Sequence, residues 1–291
     1  MHSPVIRPRS AIEIVDAAVS IYRDNFKTMA VIGLAASLPL IPVIALAGSA
    51  GLFTMRNNNP QEFLAYAHTF LPAMIALGAL MMLWFSVVDG AMTYAAAEAY
   101  HGRAPTPADA IRGAWSKGLS LIGGNLLRFL IVGGLGVAAA LLLAVAGRLN
   151  GFLAFIVGIA VFVLVAHLIA RTFAITSAIV IENQSARAGM QRSFFLSKDA
   201  TLRIVGVALL CLVIYWFAQV IVVMVVQTLV HFVISNPIVA AVLGNLAGMI
   251  IYPFLNIAIM VLYYDQRVRK EGYDLDVMGN AIVAPIVAAR Q

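Results

Sequence analysis

Residues 204–264 contain no Asp, Glu, Lys or Arg, and so long an uncharged apolar stretch constrains the fold more than any other feature. A helix rises about 1.5 Å per residue, so ~20 apolar residues cross a hydrocarbon core. This stretch is too long for one crossing. Ser235-Asn236-Pro237 divides it, because proline has no amide proton and drives its predecessor out of helical geometry. Four more spans meet the same criterion, since a charge at the centre of a span costs at least ~2.5 kcal/mol on insertion scales. They are residues 28–55, 63–88 with a continuation past Asp89 to about 100, 129–147 with a lead-in from 119 broken only by Arg128, and 149–170. Composition agrees, with 62% apolar and 11% charged residues against ~45–50% and ~25% in soluble domains. Cys211 is the only cysteine, which excludes an intrachain disulfide scaffold. The expected fold is all-α, a polytopic membrane protein with six transmembrane helices.

Basic residues set the orientation. Apart from Arg56 and Arg148 on one side and Arg128 inside a span, all of the 19 Lys and Arg residues fall in the N-terminal segment, two connections or the C-terminal tail. Both termini are therefore expected to be cytoplasmic. The same distribution explains the net charge of +6 without a nucleic-acid partner, because no aromatic platform accompanies the scattered charges. Ala45-Leu46-Ala47 before Gly48 is similar to a signal-peptidase site. The apolar run around it is nearly twice the usual length and follows an acid-bearing segment, so cleavage is not expected.

Three segments read alike. Ser10 with Glu13 forms a capping box before Ala11, Ile14, Val15, Ala18, Val19, Tyr22 and Phe26, which recur at helical spacing opposite Glu13, Asp16, Arg23 and Lys27. Thr106-Pro107 opens a second such helix, with Ile111, Ala114 and Trp115 as its greasy side, and Ser185 opens a third, with Met190, Phe194 and Phe195. Each precedes an out-and-back pair of spans. The expected organisation is one membrane domain over residues 1–276, followed by a short tail, 277–291. Its three pseudo-repeats, at about 10–100, 106–181 and 185–264, each join an amphipathic surface helix to a transmembrane hairpin. Such helices, apolar on one side and basic on the other, suit a headgroup boundary and anionic lipid.

Several motifs resemble those of one bacterial family. Arg7-Pro8-Arg9-Ser10 with Ile14-Val15-Asp16-Ala17 and Tyr22-Arg23-Asp24-Asn25-Phe26 is similar to an entry motif. Ala188-Gly189-Met190-Gln191-Arg192-Ser193-Phe194 looks like a central Arg-Ser-Trp motif, with Phe194 in place of Trp. Leu262-Tyr263-Tyr264-Asp265-Gln266-Arg267-Val268-Arg269-Lys270-Glu271-Gly272-Tyr273-Asp274 resembles a closing motif. The family is the glycerophosphoryl diester phosphodiesterase membrane-domain family, including its stand-alone members, and the likeness spans roughly residues 7 to 276. It implies an inner-membrane protein. A catalytic barrel needs ~250 residues of its own, so the resemblance transfers no catalytic residue.

Asp89 and Arg128 form a candidate intramembrane charge pair, because helical rise puts both about 10 Å inside the cytoplasmic boundary of antiparallel neighbours. Glu98, Glu182 and Asp265 read as solvated or salt-bridged residues at span ends. His167 and His231 are expected to hydrogen-bond neighbouring helices. No metal-ligand spacing occurs, and no cofactor is expected. Gly244 and Gly248 form a small-xxx-small helix-packing motif for a neighbouring helix or a homodimer, with Asn245 and Asn256 available to bond across it. Pro39, Pro42 and Pro253 predict kinks. Neither an Asp-Gly-x-x-Ala-Arg phosphotransferase motif nor a Gly-x-Ser-x-Gly elbow is present. These readings predict no enzymatic activity, and a non-catalytic scaffold or accessory factor acting on lipids or a partner protein. The alternative is a small-solute or ion transporter built around Asp89 and Arg128.

Overall fold

The computed structural model describes residues 7–39, 42, 60–234 and 236–273. Among them every regular element is an α-helix. In chain order these are α1 (Ala11–Asp24), α2 (Phe26–Ala35), α3 (Pro60–Tyr100), α4 (Pro107–Trp115), α5 (Gly118–Leu149), α6 (Gly151–Arg171), α7 (Ile175–Ile181), α8 (Ala186–Ser197), α9 (Thr201–Ile234), α10 (Pro237–Gly248) and α11 (Pro253–Glu271).

Five stretches are long and apolar enough to cross a membrane: Leu71–Tyr100, Gly118–Leu149, Gly151–Ile181, Thr201–Ile234 and Val239–Glu271. They coincide with five of the six expected spans. Of the first, α2 is described, tied to α3 by the Trp84 indole donating to the Ala35 carbonyl at 2.9 Å. Residues 40, 41 and 43–55 of that span lie outside the described residues, and so do Ala45-Leu46-Ala47, Arg56 and the tail 277–291.

The three surface helices start where their caps predict. Ser10 Oγ accepts from the Glu13 amide at 3.3 Å while the Glu13 carboxylate accepts from the Ser10 amide at 2.7 Å. Thr106 accepts from the Asp109 amide at 3.1 Å, and Ser185 from the Ala188 amide at 3.4 Å. Each bond satisfies an amide that the helix itself cannot. The face turned inward is a different matter. In α4 the buried residues are Ala110 and Ala114, whereas Trp115 is 70% exposed. Periodicity finds an apolar stripe, but not which of its residues meets the rest of the protein.

The last span is broken rather than kinked. Residues 249–252 continue by tighter bonds, such as the Tyr252 amide to the Met249 carbonyl at 3.3 Å. Pro253 then restarts the helix at the first position, where a missing amide costs nothing. The Tyr22 hydroxyl donates to the Ile250 carbonyl within the break at 2.7 Å.

Side chains are buried mainly at one end of the bundle, here called basal, where α1, α4, α7 and α8 gather. α11 runs through its middle. Phe254, Ile257, Val261 and Tyr264 of α11 join one core with Ile14 of α1, Met92 of α3, Ile175 of α7 and Ile204 of α9. Half of the most apolar window of Val239–Glu271 is buried, against none of that in Gly151–Ile181. α7 is wedged between α5 and α8 at two glycines. A Cβ on Gly124 would lie 2.7 Å from Ile179 Cδ1, and one on Gly189 would lie 2.9 Å from Ile179 Cγ1.

Candidate functional site

Two polar regions stand out, a basal network and a lateral cleft. The network unites the entry, central and closing segments. Asp265, 2% exposed, accepts from the Arg9 backbone amide at 2.7 Å, from Arg203 at 2.7 Å and from Arg269 at 3.0 Å. Arg203 and Arg269 also donate to the Arg9 carbonyl, at 2.6 and 2.9 Å. One buried carboxylate thus ties the chain's start to α9 and α11.

A second knot lies beside it. Arg192 of α8 donates to Glu182 at 2.8 Å and to Glu271 at 2.7 Å. Arg267 reaches the same two carboxylates at 3.4 and 3.2 Å, and the Tyr263 hydroxyl donates to Glu182. The Arg267 guanidinium also sits 4.0 Å from the centre of the Tyr273 ring, within cation–π range. Tyr100 stacks on Tyr264 at 4.8 Å, and His101 Nε2 lies 3.1 Å from the Tyr264 hydroxyl. Burial, and then the Arg103 guanidinium, hold the His101 imidazole below its ordinary range.

The central motif explains itself residue by residue. Gly189 admits α7. Arg192 bridges the two glutamates. Ser193 is fully buried, accepts from the Ala174 amide at 3.1 Å and donates to the Arg171 carbonyl at 2.8 Å. It therefore satisfies both ends of the break between α6 and α7. Phe194 lies under the Arg171 guanidinium at 5.1 Å.

Glu182 and Asp265 are thus salt-bridged, and Asp265 is buried rather than solvated. Glu98 pairs with Arg103 at 2.7 Å. His167 and His231 stand exposed on α6 and α9, and neither makes the expected interhelical hydrogen bond among the described residues. No group of three or more His, Cys, Asp or Glu side chains suited to a metal occurs among the described residues.

Asp89 and Arg128 line one cavity of about 360 Å³ between α3 and α5, with Met82, Phe85, Ser86, Asn125, Phe129, Val132 and Gly133. The two charges share the space, but the structure shows no ion pair between them. They remain near enough for the Arg128 charge to act on the Asp89 carboxyl. The break before Pro253 brings the Tyr252 hydroxyl to Asp89 Oδ1 at 2.6 Å, while Arg128 is exposed to the cleft.

Arg128 and Arg148 are 20 residues apart on α5, about 30 Å by helical rise, the thickness of a hydrocarbon core. α6, from Gly151 to Arg171, has 21 residues and so nearly the same length. A slab bounded by Arg148 and Asn150 at the far side meets Arg128 and Arg171 at the basal side. Such a slab would set the cleft's charges at headgroup depth and the ion-pair network beyond it.

Gly244 and Gly248 both face α9. A Cβ on Gly244 would lie 3.0 Å from the Val223 carbonyl oxygen, and one on Gly248 would lie 2.9 Å from Val223 Cγ2. The motif packs within the chain, so that face is not free for a homodimer. Asn245 donates to its own helix, at the Ala241 carbonyl, and Asn256 donates to Met92 Sδ across to α3.

Sequence reasoning missed Arg9, Arg203, Tyr252 and Tyr263 as partners of the buried carboxylates, and Ser193 as the partner of the backbone between α6 and α7. Proline at 253 was the available signal for Tyr252. Fold and sites define an all-α, multi-pass membrane protein with a salt-bridged basal layer. No family model matches the chain, and neither does any curated protein or solved structure.

Proposed function

We propose that this chain is a non-catalytic integral membrane module, a scaffold or accessory factor that acts on lipids or on a partner protein. In this reading it resides in a bacterial inner membrane with both termini cytoplasmic, as the resemblance to the glycerophosphoryl diester phosphodiesterase membrane-domain family implies. One observation carries the proposal. The three motif segments converge on carboxylates that arginines already hold: Asp265 by Arg203 and Arg269, and Glu182 and Glu271 by Arg192 and Arg267. Carboxylates so engaged serve as struts rather than as general bases. Around this rigid base, α1, α4 and α8 turn Ile12, Trp115 and Phe195 outward, and the same helices carry Arg23, Arg112 and Arg187. That arrangement suits an anionic membrane surface.

The second reading, a small-solute or ion transporter, is favoured by the cavity at Asp89 and Arg128. Its lining comes from α3 and α5 alone, which suits lateral entry better than a path through the bundle. Affinity purification in mild detergent, with co-purifying lipids and proteins identified together, tests the choice. We expect enrichment of a lipid class or a protein. No enrichment, with a specific solute flux into liposomes that contain the chain, overturns the proposal.

A further inference from the structure

The cleft between α3 and α5 has a polarity gradient along its length. Ser86, Asp89, Asn125 and Arg128 line its basal part. Met82 and Phe85 on α3, and Phe129, Val132 and Gly133 on α5, line the part that runs toward the far end. The two helices are antiparallel, so polar residues face polar and apolar face apolar. By the spacing of Arg128 and Arg148, the polar part lies at headgroup depth and the apolar part enters the hydrocarbon. Such a gradient matches an amphiphile lying parallel to the surrounding lipids, head at the base and chain upward.

The charges specify the head. Arg128 offers a guanidinium that no side chain of the described residues ion-pairs, with the Asn125 amide one turn away. Asp89 offers a carboxyl group whose Oδ1 is positioned by Tyr252. Opposite charges that face one cleft without an ion pair between them leave room for a ligand that carries both. Guanidinium forks match phosphate geometry, and an ammonium donates to a carboxylate. The volume, about 360 Å³, falls within the ~300–1,000 Å³ of small-ligand pockets. We propose that this cleft binds a zwitterionic, ethanolamine-type phospholipid, its phosphate on Arg128 and Asn125, its ammonium on Asp89, and an acyl chain along Phe129, Val132 and Gly133. This deepens the lipid-acting reading of the preceding section and rests on it.

Native mass spectrometry of the delipidated, detergent-purified full chain tests the assignment. The titrants are a phosphatidylethanolamine and a phosphatidylglycerol with the same acyl chains. We expect the ethanolamine lipid to bind about tenfold more tightly, which corresponds to ~1.4 kcal/mol. Arg128→Gln should weaken both lipids. Asp89→Asn, which still accepts from Tyr252, should abolish the preference for the ethanolamine lipid. Gly133→Leu, which fills the apolar part from a loosely packed position, should weaken both lipids even if Arg128→Gln fails to fold.

Equal binding of the two lipids by the wild type, or a preference that survives Asp89→Asn, overturns the proposal. Soluble phosphoethanolamine that displaces the lipid at equal concentration overturns it too, and assigns the cleft to a free solute. Should the cleft variants still co-purify a lipid or a protein with the base, this assignment falls alone. Solute flux without any co-purifying species removes the membrane-module reading as well.

Discussion

Along α9, Ile204, Val207 and Cys211 are buried at the basal end, whereas Trp216, Phe217, Ile221 and Phe232 of the same helix stand exposed. α5 shows the same change, from buried Leu121 to exposed Leu141, Leu142 and Val145. Propensity does not separate the two halves, since both are helical and both are apolar. Solvent does. Next to water, apolar side chains gain by packing and charges must be paired, so the base is dense and ion-paired. Within lipid, tails are as apolar as leucine, and nothing drives the far halves to bury their side chains.

The largest effect expected of this contrast is at Asp265. Asp265→Ala leaves Arg203 and Arg269 without their common partner and should cost about 3–5 kcal/mol, read as a lower unfolding temperature in detergent. A change within measurement error would mean that the network is not a strut. Ser193→Ala should be next. It orphans the Ala174 amide and the Arg171 carbonyl at a fully buried position, for a loss of ~1–3 kcal/mol, and amide exchange at Ala174 should rise.

Phe162→Ala on the far half of α6, where the side chain is 65% exposed, should change stability by less than about 0.5 kcal/mol. A loss as large as that of Ser193→Ala would show that the far half is packed by something other than lipid. The smallest effect is at the first cap. The Ser10 amide, and then Arg7, hold the Glu13 carboxyl down to about 2 from 4.5. A lowered carboxyl contributes stability that is complete above its unfolded value and is lost as pH falls toward the folded one. Exchange protection at the Ser10 and Glu13 amides should therefore fade between about pH 5 and pH 2, and Glu13→Gln should remove that dependence.

What was legible in the sequence was local. Ser10, Thr106 and Ser185 announce their helices because a cap acts over three residues. The charge-free runs announce spans because lipid penalises each charge separately. The joining of Arg9 to Asp265, 256 positions apart, was not legible, because no local pattern encodes which distant guanidinium reaches a carboxylate. Asp89 and Arg128 were recognisable as costly residues and do share a cavity. The bond from Tyr252 to Asp89 was hidden, because Tyr252 is delivered by a break that Pro253 signals only as a kink. Trp115 faces outward for a related reason. The stripe is in the sequence, but which of its residues packs against the other helices is not.

The placement of lipid along the bundle is the premise on which base, cleft and network all depend. Nitroxide labels at single cysteines, in a chain with Cys211 replaced, measure it through oxygen and nickel-chelate accessibility in liposomes. We expect oxygen-accessible, chelate-protected labels at positions 142, 155 and 221, and chelate-accessible labels at 187 and 198, with the crossover near 128 and 171. Chelate access at 142 or 155, or oxygen-dominated access at 187, would contradict the division of this molecule into a watered base and a lipid-immersed remainder.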